Sequence, residues 1–114
     1  MVAHNKIDGE IFHKTIKILK DLIKFQTVSG KSNLSMIDYC ESELKKYGAI
    51  SLKTFNKSKS QANLFSTIKS ENSDDGGIVL SGHTDVVPAI TSEWTSDPYV
   101  AREEKDKIYG RGTC

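Results

Sequence analysis

Hydrophobic residues in the first quarter of the chain recur with the spacing of an amphipathic helix. Between about Asp8 and Gln26 they cover about half of the helical wheel, while lysines and other polar residues fill the rest. We therefore predict a helix over this segment, with Asp8 as its N-cap and residues 1–7 as a loose leader. So wide an apolar face favours packing against a sheet over the narrow seam of a coiled coil.

A second helix is predicted over residues 34–47. Its apolar positions share one face, and its charged positions share the other. Ser32 or Asn33 can cap its start, and Gly48 suits the position just after its end. Cys40 falls on the apolar face, which predicts a buried structural thiol.

After the second helix, the pattern changes from helical spacing to that of strands. Ile50–Thr54 alternates apolar and polar residues, as in a half-buried strand, and Ala62–Lys69 follows after a polar turn. Ile78–Leu80 is a short continuous apolar run, typical of a central strand that is covered on both faces. Residues 99–102 and 107–109 can pair as a hairpin. Two helices followed by these strands predict the α/β fold class, with a mixed β-sheet.

Composition excludes several classes of function. The chain has 114 residues, with 16 Lys and Arg against 15 Asp and Glu, and a net charge of +1 offers no basic excess for a nucleic-acid partner. No apolar run is long enough to span a bilayer, so no membrane partner is expected. The sequence has no continuous apolar segment typical of a secretory signal near residue 1, and two cysteines are too few for the disulfide framework of a secreted domain, so we expect a cytoplasmic protein. As the last residue, Cys114 is a poor candidate for a nucleophile.

His83 and Asp85 form the candidate site. They follow the predicted strand Ile78–Leu80 at its C-terminal end, which is where open α/β sheets place their sites. Residues two apart in an extended segment point to the same side. A His beside a carboxylate suits a metal ligand with its orienting group, and it also suits a His–Asp catalytic pair. The same spacing arises by chance in about one such chain in five, so these two residues alone leave metal binding, catalysis and no function open.

Three segments carry a stronger signal when they are taken together. They are Leu80–Pro88 (LSGHTDVVP), Trp94–Tyr99 (WTSDPY) and Ile108–Cys114 (IYGRGTC). In this order and at this spacing they resemble the M20 family of dinuclear zinc amidohydrolases and peptidases. Within that family the likeness is greatest to the acetylornithine deacetylases, and next to the succinyl-diaminopimelate desuccinylases. It covers nearly the whole chain and is most specific from Leu80 onward.

The resemblance implies a role for each site residue. His83 matches the first zinc ligand of the family, and Asp85 matches the carboxylate of the catalytic centre that orients this ligand. It also implies that residues 1–114 are the incomplete N-terminal part of a zinc-peptidase-like catalytic domain. The other metal ligands, the general base and a lid and dimerisation domain would follow Cys114, and the substrate-binding residues are not identified.

The implied reaction is hydrolysis of an N-acyl amino acid, such as N-acetyl-L-ornithine in arginine biosynthesis, with two zinc ions, or cobalt in their place. Because His83 supplies one ligand, we expect the isolated chain to be inactive. Its partner would be a second copy of itself or a complementing C-terminal chain. Two alternatives stay open: a non-enzymatic product of a truncated or split gene, and an unrelated α/β binding domain with a chance H-x-D.

Overall fold

A computed structural model of the protein describes residues 2–71 and 76–113. Two helices precede four short strands: α1 spans Val2–Ile23, α2 Leu34–Lys45, β1 Ile50–Phe55, β2 Ala62–Thr67, β3 Arg102–Glu104 and β4 Lys107–Tyr109. The strands pair antiparallel as β1–β2 and β3–β4, and an isolated bridge between Val28 and Val86 is parallel. The predicted α/β class is confirmed. The chain divides into two compact units, residues 27–87 and residues 1–26 with 88–114.

In the unit of residues 27–87, helix α2 covers one face of the β1–β2 hairpin. Met36 and Ile37 of the helix and Ala62 at the start of β2 are buried. Helix α2 ends at Lys45, two residues before the predicted end, and Gly48 follows with a φ of +79° and an N–H that donates to the carbonyl of Lys45 over 3.1 Å. A left-handed glycine just past the last turn is a common way to end a helix.

The face of the hairpin that packs against helix α2 is not the face that the alternation of apolar and polar residues predicts. Leu52 and Phe65 are paired across the strands, and they are 62% and 66% exposed. Ser51 and Lys53 lie on the half-buried face instead, and Lys53 forms ion pairs with Asp38 of α2 over 2.6 Å and with a second α2 carboxylate. The prediction that the apolar side of β1 is buried is therefore wrong, because α2 covers the side of Ser51 and Lys53 and leaves the side of Leu52 exposed.

The predicted central strand at Ile78–Leu80 is not present. These three residues are outside any strand, and they are 92%, 83% and 92% exposed. An apolar run becomes a central strand only where strands on both sides satisfy its backbone groups. Among the described residues, no strand pairs with this segment.

In the unit of residues 1–26 and 88–114, helix α1 begins earlier than predicted. It already includes Val2, so the prediction of a loose leader is wrong for residues 2–7, and Asp8 is inside the helix rather than at its N-cap. Ile23 near its end is buried, whereas Ile11 is 58% exposed. A Cβ added to Gly110 would lie 2.9 Å from Cγ2 of Ile23, so a glycine lets the backbone approach the helix this closely.

The segment after residue 88 is a packed loop that leads into a hairpin. The predicted hairpin is present, but its first strand is Arg102–Glu104 and not residues 99–102; Arg102 lies opposite Tyr109, with its guanidinium 4.4 Å from the ring centre. Arg111 contacts three residues of the preceding loop, Pro88, Trp94 and Pro98. Its backbone N–H donates to the carbonyl of Pro98 over 2.7 Å, its Nη2 donates to the carbonyl of Pro88 over 3.2 Å, and its guanidinium lies 5.1 Å from the centre of the Trp94 ring.

Cys40 is half-buried on α2, where burial raises the pKa of its thiol, and Cys114 lies outside the described residues.

Within the described part of the chain, neither helix has the length and apolar character needed to cross a membrane.

Candidate metal site

The structure brings the two predicted site residues into direct contact. Nδ1 of His83 lies 2.8 Å from Oδ1 of Asp85, and the two side chains are 84% and 59% exposed. An ionised carboxylate only accepts hydrogen bonds, so this contact places the imidazole proton on Nδ1. The lone pair of Nε2 is then left for a metal ion or a substrate proton.

The second oxygen of Asp85 is also bound, by a residue that the sequence did not point to. Oγ of Ser29 donates a hydrogen bond of 2.7 Å to Oδ2 of Asp85. This hydrogen bond, and after it the one with His83, holds the pKa of the Asp85 carboxyl below its usual value. The carboxylate is therefore ionised at neutral pH, as an acceptor for the His83 ring must be.

The backbone around the pair is fixed by a short parallel contact with residues 27–29. The N–H of Val86 donates to the carbonyl of Thr27 over 2.9 Å, and the N–H of Ser29 donates to the carbonyl of Val86 over 3.0 Å. Oγ1 of Thr27, a buried residue, donates to the carbonyl of Thr84. The segment that carries His83 and Asp85 is thus held by hydrogen bonds at Thr84, between the two residues, and at Val86, directly after them.

Asn33 makes a third connection to this segment. Its Oδ1 accepts from the N–H of Ala62 over 2.9 Å, and its Nδ2 donates to the carbonyl of Ala62 over 2.9 Å and to Oγ1 of Thr84 over 3.1 Å. The sequence predicts Asn33 as a possible cap of helix α2, but its side chain makes no capping hydrogen bond to the helix. It ties the start of β2 to the site segment instead.

His83 and Asp85 lie in a cleft of about 640 Å³ within the unit of residues 27–87. Its wall combines the polar groups of the site with apolar side chains from α2 and β2, among them Ile37, Cys40, Ala62 and Leu64. An imidazole nitrogen with a carboxylate on the opposite ring nitrogen is the arrangement in which His binds zinc, so the pair fits one zinc ligand and its orienting group. Among the described residues there is no cluster of three or more His, Cys, Asp and Glu that could hold a metal ion.

Sequence reasoning found the pair but missed its supports. Thr27 and Ser29 carry no functional signal in the sequence, and Asn33 is predicted only as a possible helix cap. The signal that was available is weak: three small hydrogen-bonding side chains occur within seven residues between two helices. Local spacing cannot show that these side chains bind residues more than 50 positions away.

A comparison with models of protein families gives a match to the peptidase family M20/M25/M40 over residues 79–114. The matched stretch contains both His83 and Asp85. It also contains the Trp94 and Arg111 segments, whose contacts are described above.

Two names recur among the curated relatives described here. The chain is 42% identical over 102 residues to a succinyl-diaminopimelate desuccinylase of Rickettsia canadensis (strain McKiel), which covers 85% of the chain and 26% of that protein. It is 31% identical over 106 residues to an acetylornithine deacetylase of Proteus mirabilis (strain HI4320), with 87% and 27% covered. It is 34% identical over 105 residues to an acetylornithine deacetylase of Buchnera aphidicola subsp. Schizaphis graminum (strain Sg), with 86% and 26% covered. The chain thus spans about a quarter of the length of these relatives.

Proposed function

The chain belongs to the peptidase family M20/M25/M40, and from this premise we propose that it is the N-terminal part of a zinc-dependent amidohydrolase. The reaction is hydrolysis of the amide bond of an N-acyl amino acid, which releases a carboxylic acid and a free amine. Residues 1–114 supply part of the catalytic domain. The remaining metal ligands, the general base and a lid and dimerisation domain belong to sequence beyond Cys114.

The observation that carries this proposal is the contact between His83 and Asp85. It lies within the residues that match the family, and the 2.8 Å contact at Nδ1 places the lone pair of a neutral ring on Nε2, in a side chain that is 84% exposed. His83 is the proposed zinc ligand through Nε2. Asp85 is the proposed orienting carboxylate, which keeps the proton on Nδ1 and increases the basicity of the ligating nitrogen.

Zinc is proposed as the metal because a neutral imidazole beside a carboxylate is a zinc-type donor, and two ions are expected per site. When bound, zinc acts as a Lewis acid toward the amide carbonyl. The part played by this chain is to hold the ring of His83 in one orientation and to keep its Nδ1 proton in place. Because His83 is a single ligand, the isolated 114-residue chain is expected to show no turnover.

The first substrate that we propose is N-acetyl-L-ornithine, which places the protein in arginine biosynthesis. The Thr-Ser-Asp-Pro loop before Tyr99 and the Gly-Arg-Gly-Thr-Cys ending resemble the deacetylases, and relatives that bear that name match most of the chain. A second candidate is an N-succinyl diamino acid, because the relative with 42% identity is named a succinyl-diaminopimelate desuccinylase. Both substrates are N-acylated diamino acids, so the chemistry at His83 is the same for either.

The proposal extends to compartment and assembly. We place the protein in the cytoplasm, since Cys40 and Cys114 are too few for the disulfide framework of a small secreted domain. A second copy of the protein, or a separate chain that carries the remaining ligands, is the proposed partner.

The test uses the protein at the full length of its gene, with the 114-residue chain measured beside it. Both are stripped of metal, reloaded with zinc and assayed for amine release from N-acetyl-L-ornithine and from N-succinyl-diaminopimelate. We expect zinc-dependent turnover of one substrate by the full-length protein and none by the 114-residue chain.

His83→Ala should remove zinc binding and turnover together. His13→Ala is the matched control, because His13 lies exposed on α1 and its described contacts are local, with the carbonyl of Gly9 and the ring of Phe12. Full zinc affinity and turnover in His83→Ala would refute the role of this residue. Turnover by the 114-residue chain alone would refute the proposal that the catalytic set is completed beyond Cys114.

A further inference from the structure

We propose that Ser29 is a positioning residue for the metal ligand, acting through Asp85. The inference rests on the proposed function in that His83 is taken as a ligand. It goes beyond that function because it assigns a role to a residue outside the segment that matches the family model, which begins at residue 79.

The first step of the argument is the geometry of the carboxylate. Asp85 has two oxygens, and each is used by a different partner: Oδ1 meets Nδ1 of His83 at 2.8 Å, and Oδ2 accepts from Oγ of Ser29 at 2.7 Å. A carboxylate that is held at one oxygen can still turn about its Cβ–Cγ bond, whose torsion is broad. Held at both oxygens, it presents Oδ1 to the ring in one orientation.

The second step is that Ser29 is itself held in place. Its backbone N–H donates to the carbonyl of Val86 over 3.0 Å, and the N–H of Val86 donates to the carbonyl of Thr27 over 2.9 Å. The hydroxyl therefore starts from a backbone that is fixed directly beside the segment it serves. Although Ser29 is exposed, its Oγ reaches Asp85 from a short parallel bridge and not from a free loop.

The third step is the neighbouring residue between the pair. Thr84 is anchored through its carbonyl by Thr27 and through its hydroxyl by Asn33. Those two contacts fix the backbone of the segment, but neither touches the carboxylate of Asp85 or the ring of His83. Of the described contacts, the hydrogen bond from Ser29 is the one that reaches the carboxylate from outside the pair. Its loss should therefore change the His83 ring while leaving the backbone contacts intact.

The experiment compares Ser29→Ala, Ser29→Thr and the control Ser32→Ala in the full-length protein. Ser32 lies in the same loop, and its Oγ accepts only a long 3.4 Å contact from the N–H of Leu34. The first readout is the tautomer of His83 in metal-free protein, from ¹⁵N chemical shifts at about pH 8, where an ordinary imidazole is neutral. The second readout is zinc affinity, measured by competition with a chromogenic chelator.

We expect Ser29→Ala to lower the fraction of the Nδ1–H tautomer of His83 and to weaken zinc binding about tenfold, the low end for loss of a group that orients a ligand. Ser29→Thr keeps the hydroxyl and should restore both values, and Ser32→Ala should change neither. The amide signals of Thr84 and Val86 should stay in place in all three variants, which shows that the backbone contacts persist.

An unchanged tautomer in Ser29→Ala, or an equal change in Ser32→Ala, would overturn the proposal. The tautomer does not depend on zinc, so it separates this inference from the proposed function. If the wild-type protein binds no zinc but Ser29→Ala shifts the tautomer, the zinc function fails and the positioning role of Ser29 stands. If the wild-type protein binds zinc tightly but Ser29→Ala leaves the tautomer of His83 unchanged, the positioning role of Ser29 fails and the zinc function stands.

Discussion

The segment that carries the candidate site and the end of helix α1 differ in how far apart in sequence the partners of their polar side chains lie. In residues 27–87, hydrogen bonds join positions that are far apart in sequence, such as Ser29 with Asp85 at a separation of 56 and Asn33 with Thr84 at 51. On helix α1 of the other unit, the ion pairs of Asp21 are local, with Lys17 and Lys24 four and three residues away. Local ion pairs add a little stability to a helix that the hydrophobic periodicity of the sequence already predicts. Distant pairs place a segment that has no regular structure of its own, and the candidate site is in such a segment.

If the distant hydrogen bonds hold the site segment, Asn33→Ala should have the largest effect on stability. Ala62 is buried, and the substitution leaves its N–H and its carbonyl without the Asn33 partner. Unsatisfied buried groups cost about 1–3 kcal/mol each, so we expect a loss of about 3 kcal/mol in the free energy of unfolding, measured by urea denaturation. Amide exchange at Ala62 should also accelerate.

The neighbouring asparagine is the control for that substitution. Asn63 is exposed on β2, so Asn63→Ala should change stability by less than about 0.5 kcal/mol. A loss under about 1 kcal/mol in Asn33→Ala would show that water replaces the side chain at Ala62. The distant hydrogen bonds of the site segment would then contribute no more to stability than the local ion pairs of α1.

The other unit depends on close packing, and Gly110→Ala tests this. The added Cβ would lie 2.9 Å from Cγ2 of Ile23, a methyl on a branched carbon that cannot swing away freely. Overpacking of this kind costs about 1–3 kcal/mol, so we expect a loss of about 2 kcal/mol in urea unfolding.

An alanine at Gly9 should have the opposite sign. Gly9 lies within α1, and a Cβ there meets nothing within 4 Å, so Gly9→Ala should stabilise the helix by up to about 1 kcal/mol. If Gly110→Ala is as harmless as Gly9→Ala, the turn at residue 110 does not pack tightly on α1.

The sequence predicts the elements of this fold better than it predicts their exposure. Helical spacing located α1 and α2, and alternation located β1, because these periods are set by local backbone geometry. Burial depends on which neighbour covers an element, and no local pattern states this. Leu52 was therefore placed on the wrong face, and Ile78–Leu80 was predicted as a covered strand although it is exposed.

The same limit applies to the candidate site. The pairing of His83 with Asp85 could be predicted, because residues two apart in an extended segment share a side. The hydrogen bonds from Thr27, Ser29 and Asn33 could not, since they depend on a parallel bridge between residues 28 and 86 that no periodicity indicates. What the sequence reveals of the site is therefore its local chemistry and not its support.

A smaller effect on stability is expected at Arg111, whose side chain makes directional contacts within the unit of residues 1–26 and 88–114. Arg111→Lys keeps the charge but loses the flat group that stacks on Trp94 and the donor at the carbonyl of Pro88. We expect a loss of about 1 kcal/mol in stability, together with a change in Trp94 fluorescence. The reciprocal exchange Lys107→Arg, at an exposed position, should change neither quantity. Equal Trp94 fluorescence in Arg111→Lys and the wild type would show that a positive charge at position 111 is enough to keep the surroundings of Trp94 unchanged.

The local ion pairs of α1 should give the smallest effect, and one that depends on pH. Hydrogen bonds from Lys17 and then Lys24, both 2.7 Å long, hold the pKa of the Asp21 carboxyl well below its usual range. A carboxyl with a lowered pKa in the folded state contributes stability above its unfolded pKa of about 3.9, and this contribution is lost as the pH falls through the folded pKa. The difference in unfolding free energy between the wild type and Asp21→Asn should be constant above about pH 5 and shrink as the pH falls below about 4. It should also shrink in high salt, because the lysines are exposed. A difference that persists undiminished to about pH 2 in high salt would mean that Asp21 acts through packing, as Gly110 does, and that its ion pairs contribute little.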